Sequence, residues 1–246
     1  MIIREKGYAR SGLVGNPSDL FHGKTMSFLF DAFTTTVTLY ETPRLHFVPN
    51  KRDKNTFDNL EHLVGYRKQY GYYGGIRLLE AALVRFYDYC DEQGIQLDQR
   101  NFTVEYESSV PFAVGLGGSS AIIKSLFAAL IRFYDVSEEQ LTKPILANLI
   151  LETETRELDI SAGPQDRVVA VYGGLVYMDF TEAAYERHDG VHGDYEKLDE
   201  TLLPPLFVAY NEDLSKSSGK THNVVRYRAS RDHDQRVIEI MREKAA

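Results

Sequence analysis

Stretches of alternating polar and apolar residues, or of β-branched and aromatic residues, recur along this chain and predict strands. The longest, residues 25–41, combines threonine, valine, phenylalanine and tyrosine with few charges. The predicted strands lie at residues 7–16, 25–41, 44–50, 101–111, 173–180 and 203–213. Between the last two, residues 181–200 are charged and interrupted by glycine, which predicts a surface excursion.

Helices are predicted where apolar residues recur at spacings of three and four. Residues 74–94 are the clearest case, because their apolar side chains share one helical face and Gly94 follows as a stop signal. The other predicted helices lie at residues 55–71, 119–136, 137–158 and 167–172, and residues 223–246 are predicted to form one charged helix or a pair of helices.

One of these helices carries two signals for its start. Ser137 and Gln140 match a capping box, and Val136 and Leu141 match a hydrophobic staple. Together they predict a helix that begins at Ser137 and runs to residue 158.

The order of these elements favours an α+β or mixed α/β layer structure, because strands and helices interleave without a strict βαβ rhythm. A chain of 246 residues, of which 43% are hydrophobic, can form one large domain or two small ones. The net charge of −8 argues against a nucleic acid or an anionic membrane as partner. A single cysteine, Cys90, excludes a disulfide within the chain and, with no leader-like or membrane-spanning segment, predicts a cytoplasmic protein.

A glycine- and serine-rich segment between a predicted strand and a predicted helix is the most informative for chemistry. Residues 111–121 include Gly115, Gly117, Gly118, Ser119 and Ser120. Glycine lets the backbone approach a ligand, and the N-terminus of a helix offers free N–H groups to an anion, most often phosphate. The alternative is an ordinary tight turn with a serine cap. A dinucleotide fingerprint that starts at Gly115 would need glycine at position 120. The Gly-Lys-Thr triplets at residues 23–25 and 219–221 lack the first glycine of a P-loop, although both remain candidate anion contacts.

Two carboxylates follow in residues 152–166. Glu154 lies near the end of a predicted helix, and Asp166 lies after a Gly-Pro turn. A carboxylate on such a loop can accept a proton or bind a metal ion. Asp166 also stands where an N-cap would stand, so capping and catalysis remain alternatives.

A third segment, residues 9–24, places one charged residue in a strand of small and apolar residues. Arg10 in this setting lies either at a sheet edge or in a functional cleft. Asp19 follows the turn formed by residues 16–18, so plain turn chemistry is its alternative role.

In order and in kind, these three segments resemble the motifs of the GHMP small-molecule kinases, the superfamily of galactokinase, homoserine kinase and mevalonate kinase. Residues 9–28, 70–83 and 162–180 are similar to the glucuronokinases within it, which phosphorylate the C1 hydroxyl of glucuronic acid. The resemblance implies an α+β fold: a two-layer, ribosomal S5 domain 2-like ATP-binding domain in residues 1–200. Residues 201–246 would begin a second lobe.

The resemblance also implies roles for individual residues. The ATP phosphates would be held by Gly115, Leu116, Gly117, Gly118, Ser119 and Ser120. Magnesium would be bound by Ser119 or Ser120 together with Glu154. Asp166 would be the catalytic base, with Arg10 beside it. The sugar acid would be contacted by Asp19, Lys24 and Lys220.

One departure from the family pattern leaves alternatives open. Members of the superfamily have a second lobe with its own glycine-rich motif, and nothing after Lys220 resembles it. We therefore expect a fragment, a split enzyme completed by another chain, or a shortened homologue without activity. Without the second lobe, exposed apolar surface would favour self-association. The alternative functions are a kinase for another sugar, a heptose phosphate or a mevalonate-like substrate, or a silent nucleotide-binding subunit.

Overall fold

The computed structural model describes residues 1–50, residues 74–211 and residue 239. The helix predicted at residues 55–71 lies outside the described residues, and so does the helical stretch predicted at residues 223–246 apart from Glu239.

Six strands form one sheet in the order β3-β4-β2-β5-β6, with β1 paired to β2. Neighbouring strands are antiparallel except β3 and β4, which are parallel. The strands are β1 (Ile2–Val14), β2 (Lys24–Glu41), β3 (His46–Phe47), β4 (Phe102–Ser108), β5 (Leu175–Asp179) and β6 (Asp194–Leu198).

Strand β2 organises the sheet because it is long enough to pair with three neighbours. It pairs with β1 along one edge. Along the other edge its first residues, from Lys24 to Phe28, pair with β5, and its last residues, from Thr35 to Glu41, pair with β4. The β1 pairing passes over residues 31–33 between Tyr8 and Ala9, so β2 carries an irregularity between its two halves.

Helices cover one face of the sheet and bury its apolar side chains. They are α1 (Gly75–Glu92), α2 (Gly118–Phe133), α3 (Lys143–Thr155), α4 (Gln165–Tyr172) and the short α5 (Glu182–Glu186). The main core joins Leu39 of β2 and Val104 of β4 to Phe86, Phe127 and Ile150 of the first three helices. This two-layer α+β arrangement confirms the predicted fold class. Within the described ranges, no helix has both the length and the apolar character needed to span a bilayer.

Two strand predictions were incomplete because exposed strands carry charged residues. Strand β1 begins at Ile2 rather than at Gly7, and its outward positions Arg4 and Lys6 are exposed. Strand β6 forms within the predicted surface excursion, with Glu196 and Lys197 exposed. Charged side chains are common on edge strands, and they hide the apolar alternation by which strands are recognised.

The helix predicted to begin at Ser137 begins instead at Lys143. The capping-box bonds are present, since the N–H of Ser137 donates to Gln140 Oε1 at 2.9 Å and the N–H of Gln140 donates to Ser137 Oγ at 3.3 Å. They close a separate turn. Pro144 is tolerated only in the first turn of a helix, which sets the start of α3 just before it.

The strand predicted at residues 203–213 is absent from the described residues 203–211, which have no regular structure. Pro204 and Pro205 cannot donate backbone hydrogen bonds to a neighbouring strand. The segment is in contact with the rest of the described structure only in part: Phe207 is 99% exposed, whereas Val208 packs against a small apolar cluster and the Tyr210 ring contacts Phe33.

Candidate active site

The glycine-rich segment ends in a helix N-terminus with open N–H groups. Gly117 is the N-cap of α2 and has φ +71°, a left-handed conformation that favours glycine. The N–H of Ala121 makes the first helical bond to the Gly117 carbonyl at 3.0 Å, and Gly117 has no side chain that could cap the preceding N–H groups. Those of Gly118, Ser119 and Ser120 are therefore free of helical bonds at the positive end of the helix dipole.

Arg10 of β1 lies directly against this segment. Its backbone N–H donates to the Leu116 carbonyl at 3.1 Å. A Cβ atom added at Gly117 would lie 2.7 Å from Arg10 Cγ, so any larger residue would displace the arginine. Glycine is needed here both for its backbone conformation and for this close approach.

The other end of the Arg10 side chain reaches the carboxylate predicted to be a base. Arg10 Nη2 lies 2.6 Å from Asp166 Oδ1, and both side chains are largely buried. Asp166 is the second residue of α4, whose N-cap is Pro164, so the capping role left open by the sequence is excluded. The structure thus brings the glycine segment, Arg10 and Asp166 together through one side chain.

Arg167 connects Asp166 to the second predicted carboxylate. Its guanidinium donates to Glu154 Oε2 of α3, and both side chains are almost completely buried. Arg167 Nη1 also donates to the Gly163 carbonyl at 2.8 Å and lies 3.5 Å from Asp166 Oδ2. Glu154, Asp166 and the turn that precedes α4 therefore share one buried guanidinium.

Asp19 lies in the 3-10 turn Ser18–Phe21 and is 8% exposed. The backbone N–H of Gln165 lies 3.5 Å from its Oδ2. Burial, assisted by the nearby charge of Asp166, raises the pKa of Asp19 to about 6, although Arg10, Arg167 and the Gln165 N–H oppose the rise. Asp19 therefore belongs to the same charged cluster.

Gln165 fixes the start of α4 beneath this cluster. Its Oε1 accepts a hydrogen bond from Ser27 Oγ of β2 at 2.6 Å, and both residues are buried. Gly163 makes room for the cluster, because a Cβ there would lie 2.4 Å from Asp19 Oδ2.

The donors available for a magnesium ion are a hydroxyl and a carboxylate. Ser120 Oγ is buried and has no hydrogen-bond partner among the described residues. Across the described part of the chain, no three histidine, cysteine, aspartate or glutamate side chains form a metal cluster. Magnesium at phosphate sites needs only one or two protein oxygens because phosphate and water supply the others, so this donor set fits the ion.

Lys24, one of the predicted substrate residues, is not brought to this cluster. Lys24 Nζ lies 3.9 Å from Asp179 Oδ2, across the β2–β5 pair. Residues alternate sides along a strand, which puts Lys24 on the opposite face of β2 from Ser27. Lys220 lies outside the described residues.

Sequence analysis missed two residues of the cluster, Arg167 and Gln165. Both flank Asp166 directly. The sequence did contain a sign that Arg167 matters, because it is a charged residue at the start of the otherwise apolar helix α4. Its burial and its partner could not be inferred from that position alone.

Residues 77–174 match the family model of the GHMP kinases N terminal domain. Glucuronokinase 1 of Arabidopsis thaliana is 41% identical over 242 residues, which are 98% of this chain and 65% of that protein. Probable glucuronokinase 2 of the same plant is 42% identical over 247 residues, 99% of this chain and 66% of that protein. The chain thus spans just under two thirds of the length of these relatives.

Solved structures share the fold at low sequence identity. The mevalonate kinase of Methanococcus jannaschii superimposes with a TM-score of 0.63 at 18% identity, over 99% of this chain and 70% of that one. At this identity the likeness concerns the fold alone, and it agrees with the α+β architecture described above.

Proposed function

Because the chain belongs to the GHMP kinases, whose N-terminal domain its residues 77–174 match, we propose that it is an ATP-dependent sugar kinase. The acceptor we propose is the C1 hydroxyl of glucuronic acid. The 41% identity to Glucuronokinase 1 over nearly the whole chain supports this acceptor over the other substrates of the superfamily.

One observation carries the proposal. Arg10 packs against Gly117 at one end and contacts Asp166 Oδ1 at 2.6 Å at the other. An anion-binding helix start and a carboxylate are thus separated by a single cationic side chain, which is the arrangement that phosphoryl transfer requires.

The residues act as follows in the proposed reaction. The N–H groups of Gly118, Ser119 and Ser120, with the Gly115–Leu116 backbone beside them, bind the phosphates of ATP. Asp166 accepts the proton of the acceptor hydroxyl as that oxygen bonds to the γ-phosphorus and the bond from the γ-phosphorus to the ADP oxygen breaks. Arg10 neutralises charge on the transferring group.

We assign magnesium to Ser119 or Ser120 together with Glu154. The buried, unpartnered hydroxyl of Ser120 supports this assignment. When bound, the ion neutralises charge on the phosphates and orients them. Glu154 Oε2 already accepts a hydrogen bond from Arg167, so the carboxylate would share its charge between that side chain and the ion.

On the acceptor side, Asp19 is the best supported of the three proposed residues. Its Oδ1 is buried and has no hydrogen-bond partner among the described residues, so it is available to a sugar hydroxyl. Lys24 and Lys220 stay predictions. Three other expectations also stay predictions. They are an ATP-binding domain at residues 1–200 followed by a second lobe from residue 201, self-association or a completing chain, and a cytoplasmic location.

The test is an acceptor panel assayed for ADP release with the purified chain and Mg·ATP. We expect turnover with glucuronate and a 1-phosphate product, which phosphorus NMR would identify. We expect little turnover with galactose, a heptose phosphate or mevalonate. Turnover restricted to another acceptor would contradict the proposed sugar. Binding of Mg·ATP by calorimetry without turnover on any acceptor would instead identify a silent nucleotide-binding subunit.

A further inference from the structure

Arg167 has no part in the proposed reaction, although it is one of the most buried charged residues of the described chain, at 3% exposure. A buried guanidinium is costly unless its donors are satisfied. This one is held by Glu154, by the Gly163 carbonyl and by Asp166. Its partners are therefore the two carboxylates to which the reaction assigns separate tasks.

The contacts of Arg167 with the two carboxylates differ in length. Arg167 makes a direct hydrogen bond to Glu154 but lies 3.5 Å from Asp166 Oδ2, beyond the usual length of such a bond. The guanidinium thus lies closer to Glu154 than to Asp166. Asp166 is held directly only at Oδ1, by Arg10 at 2.6 Å.

We infer that Arg167 is a positioning residue that couples the magnesium carboxylate, Glu154, to the base, Asp166. The inference rests on the proposed function. A divalent cation that takes up charge from Glu154 weakens its hold on Arg167, and the same guanidinium then interacts more strongly with Asp166 Oδ2. With Arg10 on one oxygen and Arg167 on the other, the plane of the Asp166 carboxylate is fixed.

This coupling has a consequence that a purely structural role lacks. Arg167 and the cation compete for Glu154, so weakening Arg167 strengthens the binding of magnesium. The same change loosens Asp166, so turnover falls although the metal is bound more tightly. Opposite changes in metal binding and in turnover are the signature of this arrangement, since Arg167 competes with the cation for Glu154 and supports Asp166.

The experiment compares Arg167→Lys with a control, Arg156→Lys. Lysine keeps the buried charge near Glu154, but a single ammonium lacks the forked donors that reach Glu154, Gly163 and Asp166 together. Arg156 follows the last residue of α3, the helix that carries Glu154, and pairs with Glu152 at 3.1 Å on the surface. The control therefore makes the same substitution outside the cluster.

For Arg167→Lys we expect kcat to fall about 10- to 100-fold, the scale on which a misplaced catalytic group acts. We expect the magnesium concentration that half-saturates ATP binding, measured by calorimetry, to fall several-fold. The Arg156→Lys control should leave both within about twofold. An unchanged kcat in Arg167→Lys, or a magnesium requirement that rises, would overturn the inference.

The calorimetric readout separates this inference from the proposed function. If the wild-type chain turns over no acceptor, the proposed function fails, and the shift in magnesium requirement still decides the coupling. If Arg167→Lys does not fold, as judged by thermal unfolding, Glu154→Gln tests the same pair from the other side. Its kcat should stay low at saturating magnesium, whereas full rescue by excess magnesium would make Glu154 a metal ligand only.

Discussion

Two buried arginines of this domain contrast in how their carboxylate partners surround them. Arg167 contacts partners that are themselves buried, Glu154 at 2% and Asp166 at 13% side-chain exposure. Arg85 of α1 lies 3.4–3.9 Å from four carboxylates, and these partners are 25–63% exposed. The carboxylates around Arg85 are Asp88, Glu92, Glu152 and Glu157.

The difference shows that a buried charge does not by itself mark a functional site. Around Arg85 the carboxylates stay in contact with water, so they tie α1 to the end of α3 loosely and remain screened. Around Arg167 the carboxylates are removed from water and one of them, through Arg10, meets a helix start with open N–H groups. The arrangement around Arg167 limits how each carboxylate can move, which suits a catalytic site better than a surface ion pair.

The sharpest test of this contrast removes one carboxylate from each cluster. Asp166→Asn should lower kcat about 10³-fold, because loss of a general base removes its contribution to proton transfer. Binding of Mg·ATP should stay within about twofold, since the helix start is unchanged. Glu157→Gln, next to Arg85, is the matched control and should leave kcat within about twofold. Near-normal turnover in Asp166→Asn would remove the proposed base and, with it, the distinction between the clusters.

The tight cluster consists of Arg10, Asp19, Glu154, Asp166 and Arg167. A smaller effect concerns Asp19, the carboxylate of this cluster that is not in direct contact with an arginine of the described residues. Its pKa is raised from 3.8 to about 6, so the folded state binds this proton more tightly than the unfolded state. The resulting stabilisation is complete below about pH 4 and is lost as pH rises through about 6. Two pKa units correspond to roughly 3 kcal/mol.

Asp19→Asn removes this dependence. The free energy of unfolding of the variant, relative to wild type, should therefore rise between pH 4 and pH 7 by up to about 3 kcal/mol. Denaturant unfolding at a series of pH values measures the difference. A difference that does not vary with pH would show that Asp19 is solvated in the folded protein and would weaken its place in the buried cluster.

The chain order of the tight cluster could be predicted, but its internal contacts could not. The glycine segment, Arg10 and Asp166 each leave a local trace: small residues before a helix, a charge in an apolar strand, an acid after a turn. The Glu154–Arg167 contact leaves none, because it depends on how α3 and α4 pack. Adjacent helical residues such as Asp166 and Arg167 point in different directions, and the pattern does not say which direction meets a partner.

The fold shows the same limit. The core strands and the long amphipathic helices α1 and α2 were predicted because burial imposes a period on their sequence. Strand β6 and the start of α3 were not predicted. An exposed edge strand and a helix start limited by proline are determined by neighbouring residues and not by the period of apolar side chains. Arg85 was missed for the same reason, because its contacts with Glu152 and Glu157 depend on how α1 packs against the end of α3.

The smallest predicted effect concerns Arg85 and the four partly exposed carboxylates around it. Arg85→Met should lower the free energy of unfolding by about 1–2 kcal/mol, less than the 3–5 kcal/mol typical of a fully buried pair, because the four carboxylates left behind remain partly solvated. Raising the ionic strength should narrow the difference from wild type, since salt screens repulsion among exposed charges. In the folded variant, kcat and the affinity for Mg·ATP should stay within about twofold. If kcat instead fell while stability held, Arg85 would act on the reaction through Glu152 or Glu157, and the two clusters would form one functional network.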